Sequence, residues 1–224
     1  MPAEVKFCGL TRPADAAAAS RSGAGYLGVI FAESPRRLAA EAARIVLDGG
    51  TSAPAAGRAR RVGVFGSVMA EEVGRIAREA ELDIVQLHGD PEPHEIDAVR
   101  SHFSGDVWAV LRLDGAGLPD DAEAVAAAAD ALVIDAKAPG ALGGTGRSLD
   151  WRGLASGLAA LRRHSPLVLA GGLTPENVAA AIAILRPDVV DVSSGVEASP
   201  GVKDHERMRA FAEAAGVFPQ GVTR

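Results

Sequence analysis

The chain has 224 residues, of which 48% are hydrophobic, and its 29 acidic and 23 basic residues give a formal charge of −6. This acidic balance, without any basic block, argues against binding to nucleic acid or to a membrane surface. The single cysteine, Cys8, excludes a disulfide within the chain and a Cys-x-x-Cys metal site, so a reducing compartment is expected.

The N-terminal segment MPAEVKF lacks the basic and apolar pattern of a signal peptide. No segment approaches the about 18 apolar residues that a membrane-spanning helix needs. These features predict a cytoplasmic protein with neither nucleic acid nor membrane as a partner. A monomer and a homodimer are both compatible with the sequence.

Short apolar segments alternate with alanine-rich helical segments along the whole chain. The predicted strands cover residues 5–8, 26–31, 61–65, 84–87, 107–111, 131–135, 167–170 and 189–193, and the predicted helices include residues 12–22, 70–79, 93–103, 120–129, 150–163 and 175–185. Strands this apolar are typical of parallel sheets that are covered on both faces. Eight strand–helix repeats predict an α/β fold, a single (βα)8 TIM barrel over residues 1–217, with an open doubly wound sheet as the alternative.

Two segments depart from this alternation. Residues 48–60 (DGGTSAPAAGRAR) form a long connection from a helix to the next strand. In a barrel such connections lie on the face opposite the active site, so no function is expected for this one. Residues 218–224 are expected to form a flexible C-terminal tail.

The carboxyl ends of barrel strands build the active site, and two of them carry reactive groups. The first strand ends in Cys8 and the sixth in Asp135. A carboxylate that closes an apolar strand costs desolvation energy unless it is paired or used. A thiol and an acid that flank one ligand form the arrangement an acid–base isomerase needs. The alternative for Cys8 is a small buried hydrophobic residue.

The seventh and eighth strands lie between these two ends and run into glycine-containing turns. Gly171 and Gly172 follow the seventh strand, and the eighth ends in the segment DVSSG, which comprises Asp191, Val192, Ser193, Ser194 and Gly195. Glycines allow close backbone approach to an anion, and barrels often bind phosphate between these two loops. The turns therefore predict a phosphate site, with ordinary turn chemistry as the alternative.

Three other polar residues, His88, Arg36 and Arg37, are predicted to lie on the same face of the barrel. The five histidines show no metal-ligand spacing, so no metal is expected, and only His88 is placed to contact a ligand. Arg36 and Arg37 follow the second strand, where a guanidinium could bind a substrate carboxylate. The glycine-rich loop Gly140–Gly146 fits neither a P-loop nor a dinucleotide motif and is interpreted as a mobile lid.

Together these segments resemble the phosphoribosylanthranilate isomerase family of tryptophan biosynthesis. The resemblance rests on VKFCGLTRPADA, GVIFAESPRR, RVGVF, VQLHGD, VIDAKAPGALGGTGRSLDW, LAGGLTPENV and DVSSGVEASPGVKD, in this order. It implies a (βα)8 barrel that needs no cofactor or metal. The implied reaction is an Amadori rearrangement of N-(5-phospho-β-D-ribosyl)anthranilate to 1-(2-carboxyphenylamino)-1-deoxy-D-ribulose 5-phosphate.

The resemblance also implies roles for individual residues. Cys8 is the general base, Asp135 the general acid and Arg36 the partner of the anthranilate carboxylate, and the backbone around Gly172, Ser194 and Gly195 binds phosphate. Arg37, Ala170 and Pro91 depart from the residues usual in the family. The reference pKa values, about 3.9 for aspartate and about 8.5 for cysteine, lie on the wrong sides of neutrality for these roles. The site must therefore shift or couple both groups.

Three other functions remain open at this point. The related isomerase of histidine biosynthesis catalyses a similar rearrangement, but a carboxylate would be expected in place of Cys8. A Schiff-base aldolase would use Lys137. A barrel that only binds phosphosugars would need neither Cys8 nor Asp135.

Overall fold

The protein is described here from a computed structural model, which covers residues 3–50, 58–113, 117–136 and 151–217. Most of the insertion at 48–60, the glycine-rich segment 137–150 and the tail 218–224 lie outside the described residues. Their predicted roles stay predictions. No helix in the described ranges is long and apolar enough to cross a membrane.

Eight parallel strands form a closed barrel, which confirms the predicted fold. They are β1 (Glu4–Phe7), β2 (Tyr26–Ile30), β3 (Arg60–Phe65), β4 (Ile84–Leu87), β5 (Asp106–Leu113), β6 (Ala131–Ala136), β7 (Leu167–Leu169) and β8 (Val189–Val192). Each strand pairs with the next along the chain. The pairing of β1 with β8, which sets Lys6 opposite Asp191, closes the ring. An open sheet is therefore excluded.

Helices surround the barrel and alternate with its strands. They are α1 (Pro13–Arg21), α2 (Ala40–Asp48), α3 (Ala70–Glu79), α4 (Pro93–Arg100), α5 (Ala122–Ala128), α6 (Trp151–Leu161), α7 (Val178–Leu185) and α8 (His205–Ala214). Asp204 caps α8 by accepting hydrogen bonds from the amides of Glu206 and Arg207. The helices pack their buried apolar residues against the strands.

The start of α7 differs from the prediction. The Thr174–Pro175 pair predicts a helix from residue 175, whereas α7 begins at Val178. Asn177 holds the preceding residues in a turn: its Oδ1 accepts a hydrogen bond from the Thr174 amide, and its Nδ2 donates one to the Gly172 carbonyl. The side chain of Asn177 thus shapes the loop that follows β7.

A short antiparallel hairpin, which the sequence did not predict, follows β8. A 3-10 turn over Ser194–Val196 leads into β9 (Glu197–Ser199), which pairs with β10 (Val202–Lys203). We call residues 197–203 the β9–β10 hairpin. It carries two charged side chains, Glu197 and Lys203, that reach into the site.

The hydrophobic core has two layers, one between strands and helices and one inside the barrel. The inner layer is apolar and consists mainly of Val62, Ile84, Trp108, Val110, Ala131, Val133, Val168, Ala170 and Val189. On each strand these residues alternate with residues of the outer layer. The inside of the barrel is therefore a packed core, and polar residues found in it need a reason.

Candidate active site

Charged and reactive side chains collect at the carboxyl end of the barrel interior. Lys6 alternates with Val5 and Phe7, which pack in the outer layer, so Lys6 points inward. Cys8, two residues later, lies on the same side of the chain. The same alternation directs Asp135, Asp191 and Arg112 inward on their strands. Strand order in the barrel therefore gathers residues that are far apart in sequence.

Cys8 lies directly after β1 and is 6% exposed. Its amide donates a hydrogen bond to the Val192 carbonyl, at 2.9 Å, which fixes the backbone to β8. On the other side Gly28 of β2 leaves room for the thiol, because a Cβ at residue 28 would lie 3.1 Å from the Cys8 Sγ. Burial raises the pKa of the Cys8 thiol, and the charge of Lys6 offsets only part of this rise.

Lys6 and Asp191 form a buried ion pair beside Cys8. The Lys6 Nζ donates to the Asp191 Oδ2 at 2.9 Å, and the two side chains are 0% and 8% exposed. Burial alone would lower the pKa of Lys6, but Asp191 and Cys8 outweigh it and raise that pKa. Lys6 is therefore protonated. Asp191, predicted as a substrate ligand, is engaged by this lysine, and a role in binding stays a prediction.

Arg36 lies beside Cys8, and Arg37 is exposed to solvent. The Arg36 side chain passes over Gly9, where a Cβ would lie 2.6 Å from the Arg36 Cδ. Gly9 also has a φ of 67°, a backbone conformation that favours glycine. Glycine at position 9 therefore leaves the space that the Arg36 side chain occupies.

The predicted carboxylate clamp is already paired with a carboxylate of the protein. Arg36 donates from Nε and Nη2 to the two carboxylate oxygens of Glu197, at 2.7 Å and 2.6 Å. The Lys203 Nζ donates to the same carboxylate at 2.8 Å. Burial alone would raise the pKa of Glu197, but the hydrogen bonds from Arg36 and Lys203 lower it to about 2. The Nε and Nη2 atoms of Arg36 thus face Glu197, and the contact of Arg36 with a substrate carboxylate stays a prediction.

Asp135 and His88 approach each other on the opposite side of the barrel. The His88 Nε2 lies 3.9 Å from the Asp135 Oδ2. Burial, followed by the positive charge of Arg112, lowers the pKa of His88, so its ring is neutral at pH 7. Arg112, opposite Asp135 in the β5–β6 pairing, donates from Nε and Nη2 to the Asp90 Oδ2 at 2.9 Å and 2.6 Å. Asp90 thus offsets the charge nearest to Asp135.

The two loops that were predicted to bind phosphate pack directly against each other. A Cβ at Gly195 would lie 1.9 Å from the Leu173 carbonyl oxygen, so only glycine fits there. Gly171 and Gly172 have φ angles of 86° and 68°. Within the described ranges, the amides of Gly172, Ser194 and Gly195 donate to no protein acceptor. These amides are therefore available to an anion.

Ser193 joins this region to the β9–β10 hairpin. The Lys203 Nζ donates to the Ser193 carbonyl at 3.0 Å and lies 3.5 Å from its hydroxyl. A Cβ at Gly9 would lie 2.9 Å from the same hydroxyl. Ser193 thus lies between the glycine loops and the Cys8–Arg36 side of the site.

Five residues of the site were not predicted from the sequence: Lys6, Glu197, Lys203, Asp90 and Arg112. Lys6 had a signal, since it interrupts an apolar strand two residues before Cys8. Glu197 and Lys203 stand within the segment DVSSGVEASPGVKD, but their contact with Arg36 depends on a hairpin that has no clear pattern. All predicted site residues that the structure describes lie at the carboxyl end of the barrel.

Comparisons with known proteins agree with this geometry. The family model of N-(5'-phosphoribosyl)anthranilate (PRA) isomerase matches residues 5–214. The N-(5'-phosphoribosyl)anthranilate isomerase of Acidithiobacillus ferrooxidans is 43% identical over 210 residues, which cover 92% of this chain and 94% of the relative. The crystal structure of phosphoribosyl anthranilate isomerase from Thermus thermophilus has a TM-score of 0.80 and 38% identity, and covers 95% of this chain and 98% of its own.

A further solved structure shows such an isomerase with a bound small molecule. It is a phosphoribosyl anthranilate isomerase in complex with reduced 1-(o-carboxyphenylamino)-1-deoxyribulose 5-phosphate. It has a TM-score of 0.77 and 32% identity, and the match covers 96% of this chain and 98% of that chain.

Proposed function

The chain belongs to the family of N-(5'-phosphoribosyl)anthranilate isomerases, and we propose that Cys8 and Asp135 are the acid–base pair of its reaction. The enzyme catalyses the Amadori rearrangement of N-(5-phospho-β-D-ribosyl)anthranilate to 1-(2-carboxyphenylamino)-1-deoxy-D-ribulose 5-phosphate in tryptophan biosynthesis. The observation that supports this pair best is its position. The two groups end β1 and β6, and the glycine loops after β7 and β8 lie between them in the ring.

The first step opens the ribose ring. Asp135 donates a proton to the ring oxygen while the bond from that oxygen to C1 breaks. The lone pair of the anthranilate nitrogen forms the double bond to C1, which gives a protonated Schiff base. A neutral His88 supports this role, because a protonated imidazole beside Asp135 would favour the ionised carboxylate, which has no proton to donate.

The second step moves the double bond. The Cys8 thiolate removes the proton from C2, and the electron pair of that bond forms the C1–C2 double bond as the nitrogen regains its lone pair. The enolamine then tautomerises to the ketone, in which C1 gains a proton and the C2 hydroxyl loses one. The hydrogen bond of its backbone to Val192 and its contact with Gly28 give the thiol a fixed position for this transfer.

Substrate binding uses both ends of the site. We propose that the phosphate accepts hydrogen bonds from the amides of Gly172, Ser194 and Gly195, which have no protein acceptor among the described residues. The anthranilate carboxylate would bind Arg36 at the Nη1 edge, because Glu197 occupies its Nε edge. Glu197 then orients the guanidinium for the substrate and is not displaced by it.

The thiol chemistry also bears on where the enzyme works. A base that is an unpaired thiol must stay reduced, and Cys8 has no disulfide partner in the chain. We therefore propose a cytoplasmic location.

The test of the proposal is the decay of anthranilate fluorescence when purified protein is mixed with phosphoribosylanthranilate. The wild-type protein should accelerate the decay, and a Cys8→Ser/Asp135→Asn double variant should not. A double variant that retains most of the rate would refute the acid–base assignment. Borohydride treatment separates the aldolase alternative, because only a Schiff base on Lys137 would link substrate covalently to the protein.

A further inference from the structure

The buried ion pair of Lys6 and Asp191 has no role in the steps above. It lies in a barrel interior whose inner layer is largely apolar. Burying two charges costs free energy that their mutual attraction repays only with good geometry, and apolar residues of the same size are often as stable. The pair therefore calls for an explanation other than packing.

The geometry points to Cys8 as the group that the pair serves. Lys6 and Cys8 are two residues apart on β1, so their side chains leave the strand on the same side. Lys6 is held at its other end by Asp191, which lies opposite it in the β1–β8 pairing. One ammonium hydrogen goes to the Asp191 Oδ2, which leaves two donors for neighbouring groups.

We propose that Lys6, positioned by Asp191, is the positive charge that allows Cys8 to act as a thiolate base. Lys6 is a positioning residue, because it acts through Cys8 and not on the substrate. The proposal rests on the proposed role of Cys8 and deepens it. It also bears on the conflict that the sequence raises, since burial raises the pKa of the thiol and the charge of Lys6 offsets part of that rise.

Other charged groups face Cys8 from the surrounding elements. Lys203 of the β9–β10 hairpin and Arg36 after β2 both interact electrostatically with the thiol. Glu197 accepts hydrogen bonds from both of these cations and offsets their charge. His88, directly after β4, interacts electrostatically with Lys6 and is neutral. Lys6 exerts the largest of the charge effects that favour the thiolate, followed in size by the opposing effect of Asp191.

The single cysteine makes the test direct. The ultraviolet absorbance of the thiolate, measured against pH, reports Cys8 alone when the spectrum of Cys8→Ser is subtracted. The single tyrosine, Tyr26, does not interfere, because burial and its hydrogen bond to Glu4 raise its pKa to about 12. Circular dichroism at each pH confirms that the protein is folded.

Two variants should shift the titration in opposite directions. Lys6→Met should raise the pKa of the Cys8 thiol by about one unit or more, because it removes the main favourable charge. Asp191→Asn should lower that pKa, because it removes an opposing charge and releases Lys6. The pH profile of kcat/KM should move in the same direction as the thiol titration in each variant.

Lys6→Met leaves the buried Asp191 without its cation. A third variant therefore tests the proposal if Lys6→Met does not fold. Lys6→Met/Asp191→Asn leaves no buried charge alone, and its thiol should titrate above the wild type because the effect of Lys6 exceeds that of Asp191. The proposal is supported if the pKa of the Cys8 thiol increases in the order Asp191→Asn, wild type, double variant. A double variant whose thiol titrates like the wild type would overturn it.

An incorrect assignment of Cys8 as the base would give a different set of results from an incorrect assignment of Lys6. If Cys8 is not the base, Cys8→Ser retains turnover whatever the thiol titration shows. If Lys6 does not act on Cys8, the titration and the pH profile are unchanged in the Lys6 variants while Cys8→Ser is inactive. The two readouts therefore separate the inference from the proposal on which it rests.

Discussion

Arg36 donates two hydrogen bonds to Glu197, and this pair fixes the guanidinium above Gly9 on the Cys8 side of the barrel. The carboxylate that orients the arginine belongs to the β9–β10 hairpin, which follows the predicted phosphate loop after β8. The residue that orients the proposed carboxylate ligand, Arg36, thus belongs to the segment that continues from one of the proposed phosphate loops. This relationship makes the binding of the anthranilate end sensitive to Glu197 as well as to Arg36.

Arg36→Ala should weaken binding of the substrate and of the reduced product analogue by about 1.5–3 kcal/mol, the range for a hydrogen bond to a charged group. The variant should change KM more than kcat, because it removes a binding contact and not a proton carrier. Arg37→Ala is the matched control, since Arg37 is exposed. Weaker binding in Arg37→Ala with unchanged binding in Arg36→Ala would reverse the assignment.

Glu197→Gln should raise KM by about tenfold, because a neutral amide cannot accept both hydrogen bonds from Arg36. If Glu197 acts through Arg36, the Arg36→Ala/Glu197→Gln double variant should bind no worse than Arg36→Ala alone. Steady-state kinetics of the four proteins give this comparison. Strictly additive losses would show that Glu197 acts on something other than Arg36.

Gly28→Ala should reduce kcat by about tenfold while the protein stays folded, because the new Cβ would lie 3.1 Å from the Cys8 Sγ and push the thiol from its position. Gly66→Ala is a suitable control. Gly66 follows β3, and a Cβ there would lie 3.5 Å from the Ala32 Cβ, which is an ordinary van der Waals contact. Equal turnover of the Gly28 and Gly66 variants would mean that the position of the thiol is not critical.

Inorganic phosphate or sulfate should compete with the substrate and occupy the amides near Gly172 and Gly195. A crystal soaked in sulfate would show the anion directly. An anion bound to the 137–150 segment, with none at the two glycine loops, would contradict the proposed phosphate site.

Cys8→Ser should fold and lose turnover by about 10²–10⁴, because a hydroxyl is far less acidic than a thiol and is a poor source of base at neutral pH. The melting temperature should change little, since the two side chains are nearly the same size. Near-wild-type turnover in this variant would mean that Cys8 only packs in the barrel.

The barrel could be predicted from the sequence because its signals are local. Apolar segments of strand length recur between alanine-rich helices, and this alternation needs no knowledge of distant contacts. The start of α7 was predicted wrongly, and the reason for this is also local. Asn177 donates to the Gly172 carbonyl and accepts from the Thr174 amide, so its side chain replaces the first helical turn.

The charged pairs of the site could not be predicted in the same way. Lys6 and Asp191 are 185 residues apart, and their contact follows from the register between β1 and β8. Arg36 and Glu197 are 161 residues apart, and their contact depends on a hairpin with no distinct pattern. Residue type and strand position are therefore enough to suggest Cys8, Asp135 and Arg36 as site residues. The charged residues that pair with them or lie beside them can be identified only from the three-dimensional structure.

Asp135→Asn gives the most direct test of the proposed mechanism. Asparagine keeps the shape of the side chain and its hydrogen bonding but has no proton that it could transfer to the ring oxygen. The variant should melt near the wild-type temperature, bind the reduced product analogue, and lose turnover by at least about 10². A variant with a lowered melting temperature and nearly full turnover would instead identify Asp135 as a structural carboxylate, and it would contradict the acid–base mechanism.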